Sequence, residues 1–202
     1  MAGILSLKGE GYEQFSSREG RVMKRESVLK NKHILAVDDE PDVLEYIEEE
    51  LPMCLVDKAT DYQTALEYMQ GYIYDIVILD IMGVDGFRLL ELAVSKDFPT
   101  VMFTAHALTP EALENSIKLG ATSFLPKDKI SALRDFLEDV IVEDRKQVWR
   151  KLFHKLGGFF GQKFGPDWKT KNKFLKDFEE AVTRTGNQGC CFNSSGAKNR
   201  TL

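Results

Sequence analysis

Between His33 and Val142, short apolar runs alternate with stretches where apolar residues recur every three or four positions. The runs predict buried strands and the longer spacing predicts helices with one apolar face. His33 to Val37 is the first run, and it ends in Asp38-Asp39-Glu40-Pro41. Pro41 suits the first turn of a helix, where its missing N–H is not needed, and acids there oppose the positive end of the helix dipole. Val43, Leu44, Ile47 and Leu51 supply that helix with one apolar face. Leu55 to Ala59 is a weaker strand, and Asp61 caps a second helix that Gly71 ends. Asp75-Ile76-Val77-Ile78-Leu79-Asp80 then reads as a buried strand that delivers a carboxylate to the sheet edge. After the loop from Ile81 to Gly86 come a helix bearing Phe87, Leu89, Leu90, Leu92 and Ala93, and a fourth strand ending in Thr104-Ala105. Pro110 opens a helix closed by Gly120, Ala121 to Leu125 is a fifth strand ending at Pro126-Lys127, and residues 129–143 form a fifth helix. Five strands alternating with five helices argue for right-handed crossovers and one doubly wound parallel sheet of the α/β class.

Composition narrows the class without changing that picture. The 43% hydrophobic and 29% charged shares are ordinary for a globular chain, which argues against wholesale disorder or a membrane bundle. No apolar run approaches the roughly 18 residues that span a bilayer, and Lys8, Glu10 and Glu13 interrupt the N-terminus where a signal peptide would be apolar. The expected location is the cytoplasm. Three cysteines, Cys54 and the pair Cys190-Cys191, make neither a disulfide framework nor a zinc spacing; Cys54 reads as a small core residue and the pair as part of a frayed terminus.

Charge divides the chain. From His33 to Asp144 there are 24 acidic and 7 basic residues, whereas Arg145 to Thr185 holds 11 basic and 4 acidic. The sign change sets the expected boundaries: residues 1–32 unstructured, with Met23 an alternative start, 33–144 the α/β domain, 145–185 a basic helical extension and 186–202 a disordered tail. In the extension, Val148, Trp149, Leu152, Phe153 and Leu156 line one face of a basic amphipathic helix expected to break at Gly157-Gly158, and a second helix spans about 171–183. That aromatic face fits packing on the α/β domain or on a second copy, with a membrane surface or partner helix as the sharper alternatives. Nucleic acid is disfavoured by the absence of a helix-turn-helix pattern.

Ligands of such sheets bind beyond the carboxyl ends of the strands. There the strands present Asp38 and Asp39, Asp80, Thr104 and Lys127. Converging carboxylates repel one another, so a hard divalent cation is expected among them, and Mg²⁺ fits by its preference for carboxylates, a carbonyl and water. Thr104 can donate to a phosphoryl oxygen and Lys127 can offset its charge, an arrangement suited to in-line transfer onto a carboxylate. His106 reads as a loop residue.

The motifs Val37-Asp38-Asp39-Glu40, Ile78-Leu79-Asp80, Met102-Phe103-Thr104-Ala105 and Phe124-Leu125-Pro126-Lys127 resemble those of the bacterial response-regulator receiver domain, over roughly His33 to Val142. The resemblance implies a flavodoxin-like fold in which Asp80 accepts a phosphoryl group from a histidine kinase or phosphotransfer protein. Mg²⁺ would be held by Asp38, Asp39, Asp80 and the Met82 carbonyl, and Thr104 and Phe124 would move together on activation. One departure is that Asp85-Gly86 follows Asp80 at five and six residues, without a proline, where many receivers have a longer loop. The competing reading is a small Mg²⁺-dependent aspartate-based phosphohydrolase. Such enzymes place a second acid two residues after the nucleophile, and that position is Met82.

Overall fold

A computed structural model describes residues 27–105 and 109–184. The expectations for residues 1–26 with Met23, for His106, and for Cys190-Cys191 within residues 186–202 fall outside the described residues. Strands β1 His33–Val37, β2 Leu55–Ala59, β3 Ile76–Leu79, β4 Thr100–Thr104 and β5 Ser123–Pro126 form one parallel sheet in the order β2-β1-β3-β4-β5. Helices α1 Pro41–Glu50, α2 Tyr62–Gly71, α3 Gly86–Ser95, α4 Pro110–Leu119 and α5 Leu133–Val142 are the crossovers. α1 packs beside α5, and α3 packs between α2 and α4, so both faces are covered. Strands β3, β4 and β5 are buried throughout, as such coverage demands, while the edge strand β2 is only partly buried.

Local chemistry sets the helix limits. The Asp61 carboxylate accepts the Thr64 amide and the Thr109 hydroxyl accepts that of Ala112, capping α2 and α4. Gly120 ends α4 in a left-handed conformation, φ 104°. The fifth helix begins later than its periodicity suggests. Lys127–Ala132 is a 3₁₀ turn kinked at Lys129, and α5 follows it.

Two other boundaries differ from the expectation. Order begins before His33: Leu29 is completely buried, the Asn31 amide donates to the Met53 carbonyl at 2.8 Å, and Ser27 Oγ donates to Glu138 Oε1 at 2.7 Å. One large apolar side chain is enough to tie this segment to the core. Cys54 is half-buried there, donates to the Leu29 carbonyl and has its thiol pushed up to about 11 by burial.

The second difference is in the extension, where α6 Arg145–Phe164 runs unbroken through Gly157-Gly158, followed by α7 Trp168–Lys171 and α8 Lys173–Thr183. Leu156 and Phe160 flank the glycines and are both buried, so packing outweighs the cost of about 1 kcal/mol for each glycine in a helix. Nothing lies within 4 Å of the position a Gly158 side chain would take. Gly158→Ala should therefore stabilise the protein by about 0.5–1 kcal/mol, read as a higher midpoint in urea.

The extension packs on α4, β5 and α5. Trp149, Leu152 and Phe160 are buried in the same core as the sheet, and Trp149 Nε1 donates to the Ala121 carbonyl at 3.2 Å. The charge asymmetry becomes ion pairs: Lys151 with Asp139 and Glu143, Lys155 with Asp139, and Lys163 with Asp128. Exposed pairs of this kind contribute only about 0–1 kcal/mol each, so the aromatic contacts dominate.

Candidate functional site

The chain leaves β1 for the sheet edge at β2 and returns to β3 beside β1, which opens a crevice at the carboxyl ends of those two strands. Asp38 directly follows β1 and Asp80 directly follows β3. The Asp80 amide donates to the Val37 carbonyl at 2.9 Å, extending the ladder by one residue and pinning the two aspartates side by side. Thr104 ends β4 and pairs in register with Pro126, which places Lys127 one residue further on. All five polar residues expected at this edge are brought together.

Asp38 and Asp80 are buried and Asp39 is exposed, and their carboxylates each bring an oxygen within 4.8 Å of the others. Lys127 Nζ lies 2.7 Å from Asp38 Oδ2, 3.0 Å from Glu40 Oε1 and 3.8 Å from Asp80 Oδ1. Asp38 Oδ2 and Asp80 Oδ1 are enclosed facing Lys127, and the Thr104 hydroxyl is enclosed beside Asp80. Burial pushes the Asp80 carboxyl above its ordinary pKa, although Lys127 and the nearby Thr104 hydroxyl pull it down. Burial likewise raises Asp38, against Lys127 and the Glu40 amide. Burial works to lower Lys127, and its contacts with Asp38 and Glu40 outweigh that and raise it. A cation between the carboxylates would relieve the conflict, and the converging oxygens of Asp38, Asp39 and Asp80 fit the donor set of Mg²⁺.

The loop after Asp80 is tight. Gly83 is left-handed at φ 73°, and a side chain there would meet the Asp39 carboxylate at 2.2 Å. Asp85, at φ 55°, starts α3, while Val84 is buried between them. These two left-handed residues absorb the shortening seen in the sequence. The Met82 side chain is exposed, and its carbonyl accepts the Val84 amide at 2.7 Å. Phe124 is fully buried within β5, edge-on to Phe160 of α6.

Glu40 was not assigned a role from sequence, yet it is one of the two carboxylates closest to Lys127. The third acid of the Asp-Asp-Glu triplet was its signal, because a residue at the first turn of α1 faces the same edge as Lys127.

Comparison with known proteins places the chain in a family. The two-component response regulator ARR10 of Arabidopsis thaliana is 32% identical over 129 residues, covering 60% of this chain and 21% of that protein. A protein-glutamate methylesterase/protein-glutamine glutaminase 2 of Shewanella sp. (strain MR-4) is 32% identical over 126 residues, covering 57% of this chain and 36% of that protein. The chain thus spans well under half the length of either relative. Among solved structures, a response regulator from Thermotoga maritima superposes with a TM-score of 0.51 at 18% identity, over 56% of this chain and 99% of that one. The Vibrio cholerae chemotaxis protein CheY4 gives 0.50 at 27% identity, over 55% and 98%. The family model for the response regulator receiver domain matches residues 34–138, and the chain belongs to that family of two-component signalling proteins.

Proposed function

We propose that this chain is a phosphoacceptor switch in which Asp80 takes a phosphoryl group from the phosphohistidine of a sensor kinase or phosphotransfer protein. The observation that carries this reading is the convergence of Asp38, Asp39 and Lys127 on the buried Asp80 carboxylate, with the Thr104 hydroxyl enclosed beside it. An Asp80 oxygen attacks phosphorus, the P–N bond of the donor breaks with its electron pair left on the imidazole, and an acyl phosphate forms. Lys127 offsets charge on one phosphoryl oxygen and Thr104 donates to another. Asp38, Asp39, Asp80 and the Met82 carbonyl would hold Mg²⁺, which supplies charge neutralisation for the transferred group. Phe124, in register with Met102 of the strand that ends in Thr104, is the switch aromatic.

The division of labour follows the charge boundary: residues 33–144 receive the phosphoryl group and 145–185 respond to it. The aromatic face of α6 is spent on this chain's own α5 and β5, which favours an intramolecular role over a membrane or second-copy contact. No helix among the described residues is long and apolar enough to cross a membrane, and the proposed setting is the cytoplasm, where such kinases present their phosphohistidines. A phosphohydrolase is disfavoured because exposed Met82 stands where its general acid would be.

Incubation with acetyl phosphate and Mg²⁺ should give a hydroxylamine-sensitive adduct that Asp80→Asn loses completely; turnover of varied phosphate esters with no such adduct would sink the proposal. Asp80→Asn should also be more stable than the wild type without metal. The folded state holds the Asp80 proton to higher pH than the unfolded chain does, so its ionisation opposes folding as pH rises through the raised value. The neutral amide removes that opposition at pH 7, read as a higher urea midpoint, and the gain should shrink as the pH is lowered through the carboxylate range.

A further inference from the structure

We propose that residues 12–23 of this chain fold back onto an exposed apolar surface at the edge of the sheet opposite Asp80. In a parallel sheet every strand enters at one edge, and every helix that follows a strand ends there. His33 and Leu55 begin β1 and β2 at that edge, Tyr72 and Ile73 lie in the connection from α2 to β3, and Val142 ends α5. Ile73 is 83% exposed, Leu55 60% and Tyr72 55%, and Val28 and Val142 are exposed too. These are five of the seven large apolar residues exposed among the described residues. Single apolar residues on a surface are ordinary, but a group gathered at one edge is not. Three of the five are contiguous around His33. Leu55 is its register partner in β2, the Tyr72 ring is edge-on to its imidazole with centroids 6.3 Å apart, and Ile73 directly follows Tyr72. The acceptor crevice plays no part in this contact, because Asp80 follows β3 at the other edge.

The occupant follows from where the chain enters the domain. The residues just before β1 run along this same edge. Ser27 Oγ donates to Glu138 of α5 at 2.7 Å, the Asn31 amide donates to the Met53 carbonyl at 2.8 Å, and the Leu55 amide donates to the Lys32 carbonyl at 2.8 Å. Residues preceding Ser27 are therefore tethered beside the surface, and among them Tyr12, Phe15, Val22 and Met23 supply large apolar side chains. An extended chain covers about 3.3–3.6 Å per residue, so Val22 can reach about 17 Å from Ser27 and Phe15 about 40 Å. The strands β2 and β3 are two spacings apart, about 10 Å, and both lengths suffice. Charge points the same way. Between residues 18 and 25, Arg18, Arg21, Lys24 and Arg25 stand against Glu19 alone, while residues 33–144 hold 24 acidic and 7 basic residues. A short tether gives the segment an effective concentration on the order of millimolar at the surface, so a weak apolar contact is enough to hold it. A second copy of the chain has no such tether and would need to be present at that concentration.

The test uses the full chain and limited digestion with trypsin, following cleavage after Arg18 and Arg21 by mass spectrometry in the wild type, Ile73→Asp, Phe15→Asp and the double variant. Cleavage of a docked segment tracks the fraction of time it is released, and a charge on either side of the contact raises that fraction. Each single variant should be cut at least about 5-fold faster than the wild type at the same protein concentration. The double variant should be cut no faster than the faster single one, since one contact is lost only once. Ile73 is too exposed for its replacement to disturb the core, and Phe15→Asp decides the matter if Ile73→Asp does not fold. Wild-type cleavage should not depend on protein concentration. A wild type cut as fast as the variants overturns the proposal, and protection that grows with protein concentration overturns it in favour of a second copy.

Discussion

Gly86→Ala should destabilise the protein by about 3 kcal/mol or more and slow adduct formation at Asp80 by roughly 100-fold. A β-carbon on Gly86 would lie 1.9 Å from the Asp80 carbonyl oxygen and 2.9 Å from the Ile81 Cα, where ordinary contact begins at 3.4 Å. Both obstacles are backbone, so no side-chain rotation relieves them. Asp80 cannot retreat, because its amide is bonded to the Val37 carbonyl at 2.9 Å inside the sheet. Helix α3 cannot slide away cheaply either, since Leu89, Leu90 and Ala93 on its inner face are completely buried. A shift of an ångström or more must then be shared between the acceptor's own peptide and the helix that follows it. Gly71→Ala is the control: it closes α2 with nothing within 4 Å, and should be neutral or stabilising by up to about 1 kcal/mol. Urea denaturation and acetyl phosphate labelling measure both effects, and matching behaviour of the two variants would refute the close approach.

That constraint was only half legible in the sequence. Asp80, Asp38, Thr104 and Lys127 could be read because each ends an apolar run, and in a parallel sheet every such end points to one edge. The pairing of β1 with β3, which brings Asp38 against Asp80, follows from the same topology. What the runs do not encode is the reach of a flexible side chain. Lys127 was readable as a counter-charge, but its preference for Asp38 and Glu40 depends on a kinked 3₁₀ turn that carries no periodicity. Gly157-Gly158 looked like a helix end because intrinsic propensity was all the sequence offered, and tertiary burial of Leu156 and Phe160 overrode it. Leu29 was missed for the opposite reason, being one core residue without a repeating neighbour. The amphipathic face of α6 was plain, but amphipathicity names no partner, and only the fold shows that β5 and α5 lie beneath it.

Trp149→Ala should cost about 3–5 kcal/mol, lowering the melting temperature by roughly 10 °C, in a single transition shared by receiver and extension. The indole is completely buried, 5.9 Å from the Phe153 ring and 5.7 Å from the Phe178 ring, so its removal leaves a large cavity at the junction of α6 and α8 with β5. Trp149→Phe should cost far less, about 1 kcal/mol, because the ring volume is largely kept. The Ala121 carbonyl also stays satisfied, accepting from Arg145 Nε at 2.8 Å when the indole N–H is gone. The shared transition is expected because Trp149, Phe160, Leu175 and Val182 belong to the same buried cluster as the strands. In Trp149→Ala the remaining tryptophan, Trp168, reports on the extension by fluorescence while far-ultraviolet circular dichroism reports on the whole. Coincident curves would show one cooperative unit; an early fluorescence change with an unshifted receiver transition would show a separable appendage.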